Sequence, residues 1–325
     1  MDFLDKLTGI DGIELQRNVP MAGHTSFGIG GEADLFATIH SQDALVRLLA
    51  LCRTSGVAWQ LLGAGTNVLV SDRGVRGVVI HIAKDAVEES ARRGVNALYV
   101  RLSAGTPLTR LLQIMRSNGA LGVSVLSGIP GSVGGAVVMN AGTRLGACAQ
   151  FIEAVQLCDA DGIREISPAD LHFAYRESTL PNGAIVTSAR FKFQLGLAEE
   201  LDAEDKAAQA AIERRRAGQP SQPSAGCVFC NPGDRAAGLL IDESGLKGLR
   251  VGGAEISDVH ANFIVNVGNA RASDVLDLMR QAQAAVEARF GVSLVPEVRL
   301  MGEFDPAELP RHARFSSGLS NLVPS

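Results

Sequence analysis

No stretch of the 325-residue sequence approaches the ~18 consecutive apolar residues that a membrane helix needs, so a spanning role is excluded. Met1 to Leu7 scatters charge where a secretory signal would carry its apolar segment, and no signal peptide is expected. There is no disulfide framework either. The five cysteines are an odd number, Cys52, Cys148 and Cys158 are scattered, and the pattern fits a reducing, cytoplasmic setting. A basic excess is missing: 30 Lys and Arg face 35 Asp and Glu, for a net charge of −5, which argues against a nucleic-acid partner. The local cluster Arg214, Arg215 and Arg216 follows Glu199, Glu200, Asp202, Glu204 and Asp205, and reads as the solvated C-terminal end of a helix. Internal repeats are absent. No Gly-Lys-Ser/Thr follows any glycine loop, so there is no P-loop.

Glycine is what the chain has instead. Gly128, Ile129, Pro130, Gly131, Ser132, Gly134, Gly135 and Ala136 fall in an uncharged run that ends at Gly142. A core strand does not need so many glycines, and a solvent loop would be more polar. Backbone passing close to something large and flat does need them, because a Cβ would collide. Gly63, Ala64, Gly65, Thr66 and Asn67 repeat the idea between apolar strands. Gly63-x-Gly65 runs into a strand, not a helix, so it is no Rossmann fingerprint. Successive backbone N–H groups in such a loop still form an anion nest. Alone, each loop is equally well read as a tight hairpin. Together they favour a clamp on a dinucleotide cofactor.

Helical and strand patterns alternate up to residue 195. Asp43–Arg53 places Leu45, Leu48, Leu49 and Cys52 on one face, and Trp59–Leu62 reads as a buried strand. Thr106 and Pro107 are expected to cap and start a helix lined by Leu108, Leu111, Leu112 and Met115. Residues 196–218 form a charged, alanine-rich helical linker, and residues 219–302 a second unit with a helix over Ser273–Phe290. A last strand is expected over Ser293–Met301, with Glu297 in its middle. Residues 303–325 read as a loosely attached tail.

Further motifs appear in order: His24 to Gly31, Tyr175 to Ser178, Pro223 to Pro232, Gly252 to Ser257, His260 to Asn266, and Glu297-Val298. With the two glycine loops they resemble the UDP-N-acetylenolpyruvoylglucosamine reductase family over about residues 15 to 302. The short distance from Arg176 to the linker resembles the subclass without an extra substrate-capping loop. The resemblance implies an α+β fold in two lobes. An FAD-binding domain of p-cresol methylhydroxylase type (1–195) is followed by a smaller α/β substrate-binding domain. It implies non-covalent FAD, NADPH as hydride donor, and a UDP-sugar substrate whose enolpyruvyl ether is reduced in peptidoglycan precursor synthesis.

Three residues are then expected to be catalytic. Arg176 would grip the substrate carboxylate with two donors. Glu297 would share the developing enolate, and a carboxyl kept neutral by burial could donate a hydrogen bond to it. Cys227 stands where the family usually has serine, as the proton donor; near its ordinary pKa a thiol is a competent acid. Cys230 stands where the family commonly has lysine. Tyr175 and Asn231 are expected to touch substrate, and His24 and His260 to be structural. Cys227 and Cys230 also spell C-x-x-C, but with no second pair or paired histidines no metal is expected. An FAD oxidase of a sugar or hydroxy acid, or a non-catalytic flavin or thiol sensor, are the rival readings.

Overall fold

The computed structural model describes residues 3–316 and 318–319. Two five-stranded sheets dominate the first half. One runs Ile13–Pro20, Glu32–Ile39, Val75–Ile82, Trp59–Leu61, Gly318–Leu319; the other runs Gly162–Ile166, Ile152–Asp159, Ile185–Gln194, Ala97–Ser103, Ser90–Arg93. The helix Gln42–Ser55 buries Leu45, Leu48, Leu49 and Cys52 and ends on Gly56 in the left-handed conformation. These faces form one apolar core with Leu111, Met115, Phe191 and Phe193.

The second half has its own core, built on the helix Ala272–Phe290 over a small antiparallel sheet. Yet the halves are interleaved. Phe27, Ile29 and Leu69 join the second core. Val68–Val70 pairs in parallel with Arg299–Met301. Asp72 accepts from the N–H groups of Ala272 (2.8 Å) and Ser273 (3.1 Å), so the first half supplies the carboxylate at the start of the second half's long helix. Ala198–Gly218 is a single helix between the halves. Among the described residues, no helix is long and apolar enough to cross a membrane.

Three local expectations are corrected. The helix after Pro107 begins at Leu108 with Pro107 in the capping position, while the Thr106 hydroxyl turns to the Lys84 carbonyl at 3.5 Å. The second glycine segment is not flanked by strands: Val133–Val138 is a short helix capped by Ser132. The last strand spans only Arg299–Met301, and Glu297 sits in irregular chain just before it.

The tail departs furthest from its sequence. Up to Ser316 it is packed: Arg314–Phe315 forms a parallel strand beside Arg299–Met301, and Arg311 pairs with Glu287. The reason lies in Gln283, only 2% exposed in the long helix. Its amide donates to the carbonyls of Leu294 (2.8 Å) and Arg311 (2.9 Å) and accepts from the Arg311 N–H (2.9 Å). Residues 317 and 320–325 of the expected tail lie outside the described residues. Replacing Gln283 by Ala strands those backbone groups, so urea unfolding should show a loss of about 2–3 kcal/mol. Limited proteolysis should then cut after residue 303. Unchanged stability and protection would show that the amide does not hold this segment.

Candidate active site

Between the halves lies a cavity of about 400 Å³. Gly63, Ala64, Gly65, Thr66 and Asn67 line one side, and Ile129, Pro130, Gly131, Ser132, Gly134, Gly135 and Ala136 another. The loops approach each other where the Thr66 hydroxyl reaches the Pro130 carbonyl at 3.5 Å. Gly65 has φ +67°, and a Cβ there would lie 2.0 Å from the His24 carbonyl oxygen. Its glycine is therefore fixed by the fold. Gly135 is different: a Cβ would meet only Ser132 Oγ at 3.5 Å, an ordinary contact, and would otherwise project into the cavity. Among the described residues, none accepts from the N–H groups of Gly63, Ala64, Gly65 or Thr66. Unused donors in a row beside a Cβ-free wall are what a diphosphate and a flat ring system require. The residues present fit FAD.

At the other end of the cavity, three backbone contacts bring Cys227 and Glu297 together. Cys227 bridges Phe263 and Phe229 bridges Pro296, so the segment from 227 to 229 runs between the two. The Glu297 N–H donates to the Val228 carbonyl at 2.7 Å, which sets Glu297 beside Cys227. Asn262, 3% exposed, clamps the segment: its carbonyl oxygen accepts from the Phe229 N–H (3.0 Å) and its amide donates to the Phe229 carbonyl (2.8 Å). Asn67 of the first glycine loop donates to the Glu297 carbonyl at 3.1 Å.

Arg176 arrives from the first half, on the two-residue turn between Phe173–Ala174 and Glu177–Ser178. Its φ of +58° is unusual for a side chain of this size and marks a backbone held in place by its surroundings. Arg176 Nε lies 3.2 Å from the Glu297 carboxylate.

The comparisons with known proteins match this arrangement. Residues 33–167 match the FAD binding domain family, and residues 219–301 the UDP-N-acetylenolpyruvoylglucosamine reductase C-terminal domain. The reductase of Anaeromyxobacter dehalogenans (strain 2CP-C) is 46% identical over 297 residues, 90% of this chain and 87% of that one. The chain belongs to the UDP-N-acetylenolpyruvoylglucosamine reductase family. The member from Myxococcus xanthus (strain DK1622) is 41% identical over 92% of this chain and 96% of its own. The crystal structure of the Thermus caldophilus reductase is 39% identical and superposes with a TM-score of 0.74, covering 89% of this chain and 99% of that one.

Within this member of the family, burial pushes the Cys227 thiol up to about 12, the Glu297 carboxylate adding to the effect and Arg176 and Arg215 opposing it. The thiol is thus a reservoir of protons at neutral pH, though a weaker acid than an exposed cysteine. Burial also raises Glu297, against the pull of Arg176 and Arg314. Tyr175 and Asn231 sit at the rim, with Asn231 Nδ2 3.4 Å from the Tyr175 hydroxyl and the Arg176 guanidinium 5.0 Å from the tyrosine ring. His24 packs on Phe36 and His260 accepts from the Asn262 N–H at 3.2 Å; burial lowers the pKa of both rings, and neither lines the cavity.

Gly128 is the one expected cofactor residue that does not line the cavity. It faces Arg215, whose Cδ lies 2.9 Å from where a Cβ would stand. Arg215, expected at a solvated helix end, instead lines the cavity, and burial lowers its pKa. Arg299, Phe315 and Ser316 line it too. Arg299 carried a signal: two residues after Glu297 in extended chain, side chains return to the same face. Phe315 and Ser316 carried none.

Gly135→Ala separates fold from cofactor. Helix propensity favours the alanine by about 1 kcal/mol, so the apoprotein should remain folded while FAD affinity, read by fluorescence quenching, falls at least tenfold. Undiminished FAD affinity would show that the cofactor does not approach this wall.

Proposed function

We infer that this chain reduces the enolpyruvyl ether of UDP-N-acetylglucosamine enolpyruvate to UDP-N-acetylmuramate, with NADPH as reductant and FAD held non-covalently. The observation that carries this reading is the meeting of Arg176, Glu297 and Cys227 at the end of a glycine-walled cavity, in a member of this reductase family. Gly63–Asn67 and the run from Ile129 to Ala136 would hold the flavin nucleotide. Bound FAD supplies hydride transfer, from NADPH to the terminal carbon of the substrate double bond.

The chain's own groups do the rest. As hydride reaches the terminal carbon, the electron pair of the double bond moves toward the substrate carboxylate. Arg176 grips that carboxylate, and its charge is worth most when the enolate forms, which lowers the barrier and not merely the binding energy. Glu297, its pKa raised by burial, is protonated more readily than an exposed carboxyl and in that form donates a hydrogen bond to the enolate oxygen. Cys227 delivers its proton to the carbon bearing the ether oxygen, and solvent later restores it. The thiolate left behind lies near Arg176 and Arg215, which offset its charge. Tyr175 and Asn231 would hold the sugar nucleotide at the rim.

We place the reaction in the cytoplasm, where its free cysteines stay reduced. The net charge of −5 favours no nucleic-acid partner. The lobe before residue 195 would clamp the flavin and residues 219–302 close over the UDP-sugar.

Anaerobic absorbance tests the reading. NADPH should bleach the flavin band, and UDP-N-acetylglucosamine enolpyruvate should restore it. Reoxidation by air alone would point instead to an oxidase. Cys227→Ser keeps an ionisable O–H at the same place, so turnover should stay within about tenfold of wild type. Because the thiol titrates only near 12, the alkaline limb of the pH–rate profile should also stay unchanged below pH 10. This differs from a thiol at its ordinary pKa, for which the substitution would move that limb. A limb that does move would show the thiol ionising in the working range.

A further inference from the structure

The C-terminal segment reaches the active site by two routes. Phe315 and Ser316 line the cavity directly. Arg314 does not; it stands behind, in register with Arg299 across the parallel strand pair, while the Ser316 N–H donates to the Leu300 carbonyl at 2.8 Å. Its guanidinium reaches toward the first half of the chain, near enough to Glu297 to oppose the rise of that carboxyl's pKa. Nη2 lies 3.6 Å from the carboxylate of Glu177, and Nη1 is buried with no acceptor among the described residues. Glu177 is the residue after Arg176 and closes the same two-residue turn. Arg314 therefore spans the gap between the turn that presents Arg176 and the strand that follows Glu297.

We propose that Arg314 is a positioning residue: through Glu177 it holds the Arg176 turn in register with Glu297, making the C-terminal segment a working part of the active site. This rests on the roles given above to Arg176 and Glu297. The need for such a brace follows from the local geometry. The base of the hairpin is pinned by the pairings Phe173 with Ser178 and Ala174 with Glu177, by Asn140 donating to the Ala174 carbonyl (2.9 Å) and by the Ser178 hydroxyl donating to the Val138 carbonyl (2.9 Å). None of these bonds holds Arg176 itself, which sits at φ +58°, a conformation a free turn would leave. The brace in turn is anchored, since Gln283 fixes Arg311 three residues before Arg314. Position here is rate: a shift of a catalytic group by an ångström costs up to about a hundredfold.

The test separates the two half-reactions in stopped flow, using the FAD-loaded enzyme. Arg314→Gln and Glu177→Gln should each slow flavin reoxidation by the enolpyruvyl substrate by roughly tenfold or more. Flavin reduction by NADPH should stay within about twofold, since it involves no substrate carboxylate. The double variant should be no slower than either single one, and Arg314→Lys should recover part of the rate. A merely structural role would slow both half-reactions or lose flavin. Glu177 is half exposed, so Glu177→Gln keeps the test open should Arg314→Gln fail to fold. Arg176→Gln is the control. If it slows reoxidation while Arg314→Gln and Glu177→Gln do not, or if those two effects add, the brace is refuted. If Arg176→Gln itself changes nothing, the site reading fails first.

Discussion

The Arg176–Glu297 ion pair joins the two halves of the chain at the wall of the cavity. Neither partner is free in water: their side chains are 23% and 17% exposed. Desolvating both is costly, and an attraction at 3.2 Å returns that cost only if the surroundings satisfy the remaining donors and acceptors. Much of the local structure does so. Asn67 and Val228 take up the Glu297 backbone, Asn262 fixes the segment that carries Cys227, and Arg215 adds a second cation. The result is a carboxyl with its pKa raised and a thiol with its pKa raised, side by side, facing two guanidinium groups. While ionised, Glu297 is the negative charge that faces these cations. In the proposed reaction a protonated Glu297 would leave that position to the enolate.

The same constraint explains why the halves are interleaved. A pair reaching across a simple hinge would sample many separations. Here the strand leading from Glu297 pairs with the strand leading from the first glycine loop, and Asp72 caps the long helix of the other half. The first glycine loop and the cluster of Arg176, Glu297 and Cys227 are thereby parts of one hydrogen-bonded frame.

What the sequence discloses follows from how local each requirement is. Gly65 and Gly135 are legible because a missing Cβ is written at the position itself. The helix at Gln42–Ser55 is legible because its buried face recurs every turn. Cys227, Arg176 and Glu297 are legible only through ordered motifs resembling a family, since spacing alone does not say that a turn, a loop and an irregular segment meet. Arg215 misleads because a charged helix end looks solvated until the neighbouring loop leaves room for it, and Gly128 is that room. The tail misleads for a similar reason. Its hydrogen bonds depend on Gln283, a polar residue in an otherwise apolar helix face, and nothing in the tail's own pattern announces the partner.

The claim on which the account turns is that Cys227 gives its proton to one face of the enolate. The direct measurement is a single turnover in D2O: NADPH-reduced enzyme is mixed with substrate, and the product is read by NMR for deuterium at the ether-bearing carbon. Wild-type enzyme should place one solvent deuterium there in a single configuration. Cys227→Ala should slow the turnover by two to four orders of magnitude, the usual range for a lost general acid, and whatever product forms should lose that stereochemical purity. Equal rates and identical configuration in the two proteins would contradict the assignment and move the proton donor elsewhere in the cavity.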